Sequence, residues 1–230
     1  MIKRWLSAAL DVLMPRCCPV CGEALGADER WLCRSCLSQL PLTHFDEQPF
    51  NAMEQLFAGK VPIERAAAYF YYDKGTPYAQ ILHDIKYRHV PTMGRWLAAR
   101  AISQMPSFVA GIDVVVPVPL YVDKLVKRGY NQSEYIARGV TDATQIPVVK
   151  ALRAVRAHGT QTHKTALERW HNIQGVYELA PGIEPQLAGK HVLLIDDVVT
   201  TGSTLEVCAR ALQSVTGVTV SLFTLAAARQ

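Results

Sequence analysis

The sequence predicts an α/β protein, with a doubly wound, mostly parallel sheet behind a small N-terminal cysteine-rich domain. Three observations predict it. From residue 66 onward short apolar runs alternate with helical patterns, the rhythm of strand–helix–strand units. One run, residues 192–195, leads into two adjacent aspartates and a loop rich in Thr and Gly, which is where open parallel sheets bind ligands. Five of the six cysteines crowd into the first 36 residues, apart from that rhythm.

Composition sets the outer bounds. Half of the 230 residues are hydrophobic and 19% are charged, which excludes a disordered chain and is ample for one sizeable core. The formal charge of 24 − 20 = +4 is too small by itself to imply nucleic acid or an anionic membrane. No apolar run approaches the ~18 residues that span a bilayer. Ile2, Trp5, Leu6, Ala9, Leu10 and Leu13 fall at helical spacing, so residues 1–16 read as an amphipathic helix docking on the body. A partner-binding or membrane-surface helix is the alternative. Asp11 and the sequence Pro15-Arg16-Cys17 argue against a secretory signal, which implies a cytoplasmic chain whose cysteines are reduced thiols or metal ligands.

Residues 17–45 carry the first chemistry. Cys18-Pro19-Val20-Cys21-Gly22 and Cys33-Arg34-Ser35-Cys36 form two CxxC pairs separated by eleven residues. Each pair turns tightly enough for both thiolates to meet one metal, and two such knuckles close a tetrahedral S4 shell suited to Zn2+. A redox CxxC is the competing reading, disfavoured by two pairs in one short loop-rich segment. Such a zinc ribbon is structural, because four thiolates leave no open position. It either braces the fold or binds nucleic acid or protein. Gly22 sits where a knuckle needs a permissive backbone. Cys17 is a spare or an alternative first ligand, and Cys208 stands alone in a helical pattern.

The remaining elements follow in order. Residues 46–65, with Pro49, Gly59 and Pro62 and little periodicity, read as a linker or irregular hood. Strands are expected at 66–72, 112–118, 192–195 and 218–225, and helices at 77–87, 93–105, 131–142 and 204–214. Continuous apolar character at 112–118 suits a strand buried on both faces. Asn131 and Glu134 are spaced as a capping box.

The most informative segment runs from Val192 to Thr204. A buried strand delivers Asp196 and Asp197 to its C-terminal end, and Thr200-Thr201-Gly202-Ser203-Thr204 leads into a helix. Backbone N–H groups and hydroxyls at a helix N-terminus make a nest for a phosphate monoester, and Gly202 lets the backbone come close. Carboxylates repel a phosphate, so the aspartates make sense one sugar away, accepting from vicinal ribose hydroxyls. Neither GxxxxGK[ST] nor GxGxxG is present, which argues against a P-loop NTPase and a dinucleotide fold.

This segment resembles the 5-phosphoribosyl-1-pyrophosphate (PRPP) signature of type I phosphoribosyltransferases. That resemblance implies that Asp196 and Asp197 hold the ribose, that residues 200–204 hold the 5′-phosphate, and that Mg2+ rides on the pyrophosphate. A double-CxxC ribbon ahead of such a domain is similar to the ComF family, also called GntX, of competence and DNA-utilisation proteins. Val116-Pro117-Val118-Pro119-Leu120 matches the family's VPVPL turn, placing Val118 and Pro119 in the pyrophosphate loop. Arg128-Gly129-Tyr130-Asn131-Gln132 matches RG[FY]NQ, Lys86-Tyr87 matches its KY dipeptide, and Gln161, Leu167, Arg169, Asn172 and Gly175 match a further segment. The likeness covers about residues 17–225.

Charge supports the same reading. Residues 121–170 hold nine Lys/Arg against four acids, an excess of +5. PRPP, with a pyrophosphate and a monophosphate, needs clustered donors, and Lys86, Lys124, Arg128 and Arg169 are candidates. Residues 153–164 read as a lid over the leaving group, with His158, His163 and His171 as surface or lid residues. Single-stranded nucleic acid is a rival use of this excess. Two functions therefore stand: a PRPP-dependent transferase acting on a nucleobase or amine in the setting of DNA uptake or utilisation, or a non-catalytic accessory protein that binds single-stranded DNA or a DNA-processing partner.

Overall fold

The computed structural model describes residues 15–155 and 176–229. Almost all of the expected helix at 1–16, most of the expected lid, and Gln161, Arg169 and Asn172 with the three histidines lie outside the described residues.

A four-stranded parallel sheet organises the body. Its strands are β1 (Ala66–Tyr72), β2 (Val114–Pro117), β5 (His191–Val199) and β6 (Thr219–Ala228), in the order β1-β6-β5-β2. Residues 147–149 extend the sheet past β2 through a parallel bridge, Val115 to Val148. β-Branched and aliphatic runs in β2 and β5 are buried on both faces, as a covered parallel sheet requires. The register of β1 on β6 sets bulk against absence of bulk: Phe70, Tyr71 and Tyr72 pair with Ala226, Ala227 and Ala228. Two short strands, β3 (Leu152–Ala154) and β4 (Tyr177–Leu179), form a separate antiparallel pair that sequence periodicity does not reveal.

Eight α-helices and a 3-10 turn (Phe45–Glu47) complete the described chain: α1 (Arg34–Ser38), α2 (Ala52–Gln55), α3 (Ala79–Tyr87), α4 (Pro91–Gln104), α5 (Val122–Arg128), α6 (Gln132–Thr144), α7 (Glu184–Leu187) and α8 (Ser203–Gln213). Glycines bring α4 against α6. A Cβ at Gly139 would stand 2.1 Å from the Arg95 carbonyl oxygen, so only hydrogen fits at this crossing.

Two expectations are corrected and a third is narrowed. The expected strand at 192–195 runs from His191 to Val199, so Asp196 and Asp197 lie inside it, with Asp196 paired to Thr224 of β6. The reciprocal capping box does not form. Asn131 accepts from the Ser133 N–H as a cap should, but Glu134 turns to Lys150, 2.9 Å away. Of the two alternatives for residues 46–65, the structure favours the hood: Met53, Phe57 and Val61 are buried in the main core. Asn51 clamps this hood, its amide donating to the carbonyls of Phe45, Gln48 and Ala66 while its oxygen caps α2. Arg210 and Gln213 of α8 reach the hood at the Lys60 and Pro62 carbonyls.

Candidate functional site

The sulfur cluster is assembled locally. Gly22, at φ 78°, turns the first knuckle, and its N–H donates to the Cys18 carbonyl at 2.8 Å. In the second, Cys33 caps α1, its sulfur accepting from the Cys36 N–H at 3.4 Å. The four sulfurs of Cys18, Cys21, Cys33 and Cys36 lie within 4.8 Å of one another, and Cys21 and Cys33 Sγ are 3.7 Å apart. A tetrahedron with Zn–S bonds of about 2.3 Å has sulfurs about 3.8 Å apart, so the donors fit a zinc ion. Their electrostatics ask for one. Burial raises the Cys18 thiol, but N–H donors from Cys33, Cys21 and Val20 outweigh it and bring the group down to about 7. Burial and its three neighbours push Cys36 far up. Four thiolates cannot ionise side by side without a cation between them. Cys17 is exposed and stands outside the cluster. The module rests on the body through the Tyr78 hydroxyl, which donates to the Cys36 carbonyl at 3.0 Å.

The second site gathers at the C-terminal ends of β2 and β5. Residues 192–195 are wholly buried, and the strand then carries Asp196 and Asp197, whose side chains leave on opposite faces by strand alternation. Asp196 Oδ1 accepts from the Ser133 hydroxyl at 3.0 Å and from the Asp197 N–H at 2.9 Å. Burial, reinforced by the Asp197 charge, pushes the Asp196 carboxyl up to about 7. Asp197 Oδ2 is buried and accepts no hydrogen bond. The Lys86 ammonium is 3.1 Å from it, close enough for an ion pair but outside hydrogen-bond direction. A free acceptor is thus held at the strand end with its charge already balanced.

Beyond the aspartates the chain turns at Gly202, φ 78°, and enters α8. A Cβ there would meet the Phe57 ring at 3.0 Å, so the hood presses on the turn from behind. Gly202 has no side chain with which to cap the helix, and no side-chain cap forms. The first N–H groups of α8 are left for a ligand. Thr200 and Thr201 are exposed, Ser203 and Thr204 half-buried, and the Thr201 and Ser203 hydroxyls lie 3.0 Å apart.

Opposite stands the turn after β2. The Val118 N–H donates to the Ile195 carbonyl at 2.9 Å, tying this turn to β5. Asn131 donates from its amide to the Val118 carbonyl at 2.9 Å. Gln132 accepts from Arg128 at 2.9 Å. Residues 128–133 therefore form one bracket: Gln132 holds Arg128, Asn131 holds the Val118–Pro119 turn, and Ser133 holds Asp196. Lys124 is exposed, its ammonium 5.9 Å from the Tyr121 ring, and Arg128 lies 5.1 Å from the Tyr87 ring. Lys86, expected among the phosphate donors, is committed to Asp197 instead, and reaching a pyrophosphate requires that pair to open.

Sequence reasoning missed Ser133, whose partner lies 63 positions away, and Tyr177, whose ring lies tilted 5.8 Å from that of Tyr121 and whose hydroxyl is pushed up by burial. It also missed a cavity of about 450 Å3 beside Val199 and Thr200, lined on one side by the hood. No helix among the described residues is long and apolar enough to cross a membrane.

The chain is similar to known proteins. A family model described as phosphoribosyl transferase domain matches residues 90–230. Competence protein F of Haemophilus influenzae is 31% identical over 102 residues, covering 44% of this chain and 44% of that protein. DNA utilization protein YhgH of Escherichia coli K12 is 26% identical over 201 residues, covering 85% of this chain and 83% of that protein. Competence protein ComFC of Bacillus subtilis is 27% identical over 113 residues, 49% of this chain and 43% of that protein. The expected likeness to competence and DNA-utilisation proteins is borne out, as is the α/β class.

Proposed function

Because this chain belongs to the phosphoribosyl transferase domain family, we propose that its strand-end site binds PRPP with Mg2+ and transfers phosphoribose to a nucleobase or amine during utilisation of DNA. The carrying observation is Asp197 Oδ2, a buried acceptor without a hydrogen bond, just ahead of the Thr200–Thr204 nest. Burying an unsatisfied acceptor costs about 1–3 kcal/mol, which a ribose hydroxyl recovers. In this reading Asp196 and Asp197 hold the ribose hydroxyls, and residues 200–204 hold the 5′-phosphate. Val118, Pro119, Lys124 and Arg128 serve the pyrophosphate, where Mg2+ would supply charge neutralisation, Lys86 joins them once its pair with Asp197 opens, and Arg169 is assigned the same role by the family match alone. Asn131 and Gln132 set the geometry of that loop, and Gln161 and Asn172 complete the family-matched set. Residues 66–230 form the transferase domain, 46–65 its hood, and 17–45 a ribbon braced by Zn2+ through Cys18, Cys21, Cys33 and Cys36.

One observation favours a second reading, in which the chain handles single-stranded DNA without turnover. Helix α5 buries none of its residues, exposes Val122 and Val126 at 68% and 79%, and stands among the cation–ring pairs Lys124–Tyr121 and Arg128–Tyr87. Basic groups interleaved with rings suit an unpaired strand.

Calorimetric titration with Mg2+–PRPP separates the two. The transferase reading expects binding in the wild type, its loss in Asp197→Ala, and pyrophosphate release on adding the right base. Equal PRPP affinity in Asp197→Ala would remove the assigned site. Salt-sensitive binding of oligo-dT without any PRPP binding would favour the second reading.

A further inference from the structure

The cavity beside the phosphate nest has a composition that selects a ligand class. Its walls include Phe45, Met53 and Leu56 from the hood side and Tyr71, Val199 and Ala227 from the sheet, with Arg229 among them. At about 450 Å3 it is of the size that takes a small ligand. Thr200 belongs to both the cavity and the nest, and Asp197 lies only about 10 Å back along β5, at about 3.3 Å per residue. A molecule in this space therefore lies at the same strand end as the aspartates.

The walls are apolar and partly aromatic. Tyr71 is held on edge by Phe45, ring centroids 5.7 Å apart. Arg229 supplies the polar contrast. Its guanidinium lies 4.9 Å from the Tyr71 ring centroid. Its only ionic neighbour among the described residues is Asp73, whose Oδ2 is 3.7 Å from Nε, too far for a hydrogen bond. The backbone N–H of Arg229 is fixed on the Tyr72 carbonyl, so the root of the side chain is anchored, while among the described residues its planar fork makes no side-chain hydrogen bond. Such a fork matches a carboxylate in two parallel bonds.

We propose that this cavity is the acceptor subsite and that it takes a flat aromatic ring bearing a carboxylate, the ring between the hood and Tyr71 and the carboxylate on Arg229. The assignment rests on the phosphoribosyl-transfer reading of the neighbouring nest. Asp73 opposes an incoming anion, so binding includes displacement of that loose pair.

The test compares pyridine-3-carboxylate and benzoate with their uncharged amides, by calorimetry on the zinc-loaded full chain, with and without Mg2+–PRPP. The carboxylates should bind at least tenfold more tightly than the amides. Arg229→Gln should erase that difference, and Ala228→Trp, which fills the space, should abolish binding of both probes while Mg2+–PRPP still binds. Equal affinity for acid and amide, no binding of either in both conditions, or probe binding that survives Ala228→Trp would overturn the subsite. The parent reading fails separately: if the wild type does not bind Mg2+–PRPP, transfer is lost, and the cavity is then judged on the probe titrations without PRPP.

Discussion

The sulfur cluster and the strand-end site are built by opposite strategies. Cys18 to Cys36 is one short stretch, and its two knuckles need only a glycine turn and a helix cap to bring four donors within 4.8 Å. The strand-end site draws Lys86, Val118, residues 128–133, Asp196 and the α8 turn from across the sheet. A local cluster is stable once its metal is present. An assembled site is only as good as the packing beneath it. Damage to the first should stay local, and damage to core packing far from the second should abolish it.

The largest effect tests the local half. Cys33→Ser removes one donor and the cap of α1, and structural zinc contributes on the order of 10 kcal/mol to such modules. Zinc content by atomic absorption should fall to near zero and amide exchange across residues 17–40 should accelerate. PRPP affinity should stay within about twofold; its collapse would show that the two regions are not independent.

Next comes the charge of Asp196. Its carboxyl is raised from 3.8 to about 7, by burial first and the Asp197 charge second. A raised acid makes the folded state bind more protons than the unfolded one between those two values. Stability therefore falls as pH rises from about 4 through about 7, by up to a few kcal/mol. Zinc loss in acid works the other way, so the comparison is wild type against Asp196→Asn, by denaturant midpoint at pH 5 and pH 8. The Asn variant should gain relative to wild type at pH 8 and lose more than half of that gain at pH 5. A constant difference would contradict the burial of this group.

Gly139→Val probes the packing beneath the assembled site. The new side chain meets the Arg95 carbonyl and Ala98, and overpacking of this kind costs about 3 kcal/mol. At this chain length that lowers the melting temperature by roughly 6–12 °C. α6 carries Ser133, so PRPP affinity should fall although nothing near the ligand has changed. Asn131→Ala is smaller, about 1–2 kcal/mol for the lost cap and the lost bond to Val118. It should weaken PRPP binding more than its cost in stability suggests, because the Val118–Pro119 turn loses its support.

What the sequence revealed follows the same division. Both CxxC pairs and the run from Val192 to Thr204 are contiguous, so each is legible in the sequence as a motif. Ser133 on Asp196, Lys86 on Asp197 and Asn131 on Val118 are long-range contacts between residue types common on any surface. Nothing local marks them. Helix α5 escaped because its apolar residues Val122, Leu125 and Val126 face solvent, which gives periodicity no core to point at. Sequence left residues 46–65 open between a linker and a hood because their order comes from the Asn51 clamp, from bonds to α8 and from scattered buried residues such as Phe57.

The most direct test of the account is a crystal structure of the full chain with Mg2+–PRPP. The 5′-phosphate should lie on the N–H groups that open α8, with a ribose hydroxyl within hydrogen-bond distance of Asp197 Oδ2. PRPP density elsewhere, or a ribose out of reach of both aspartates, would contradict it.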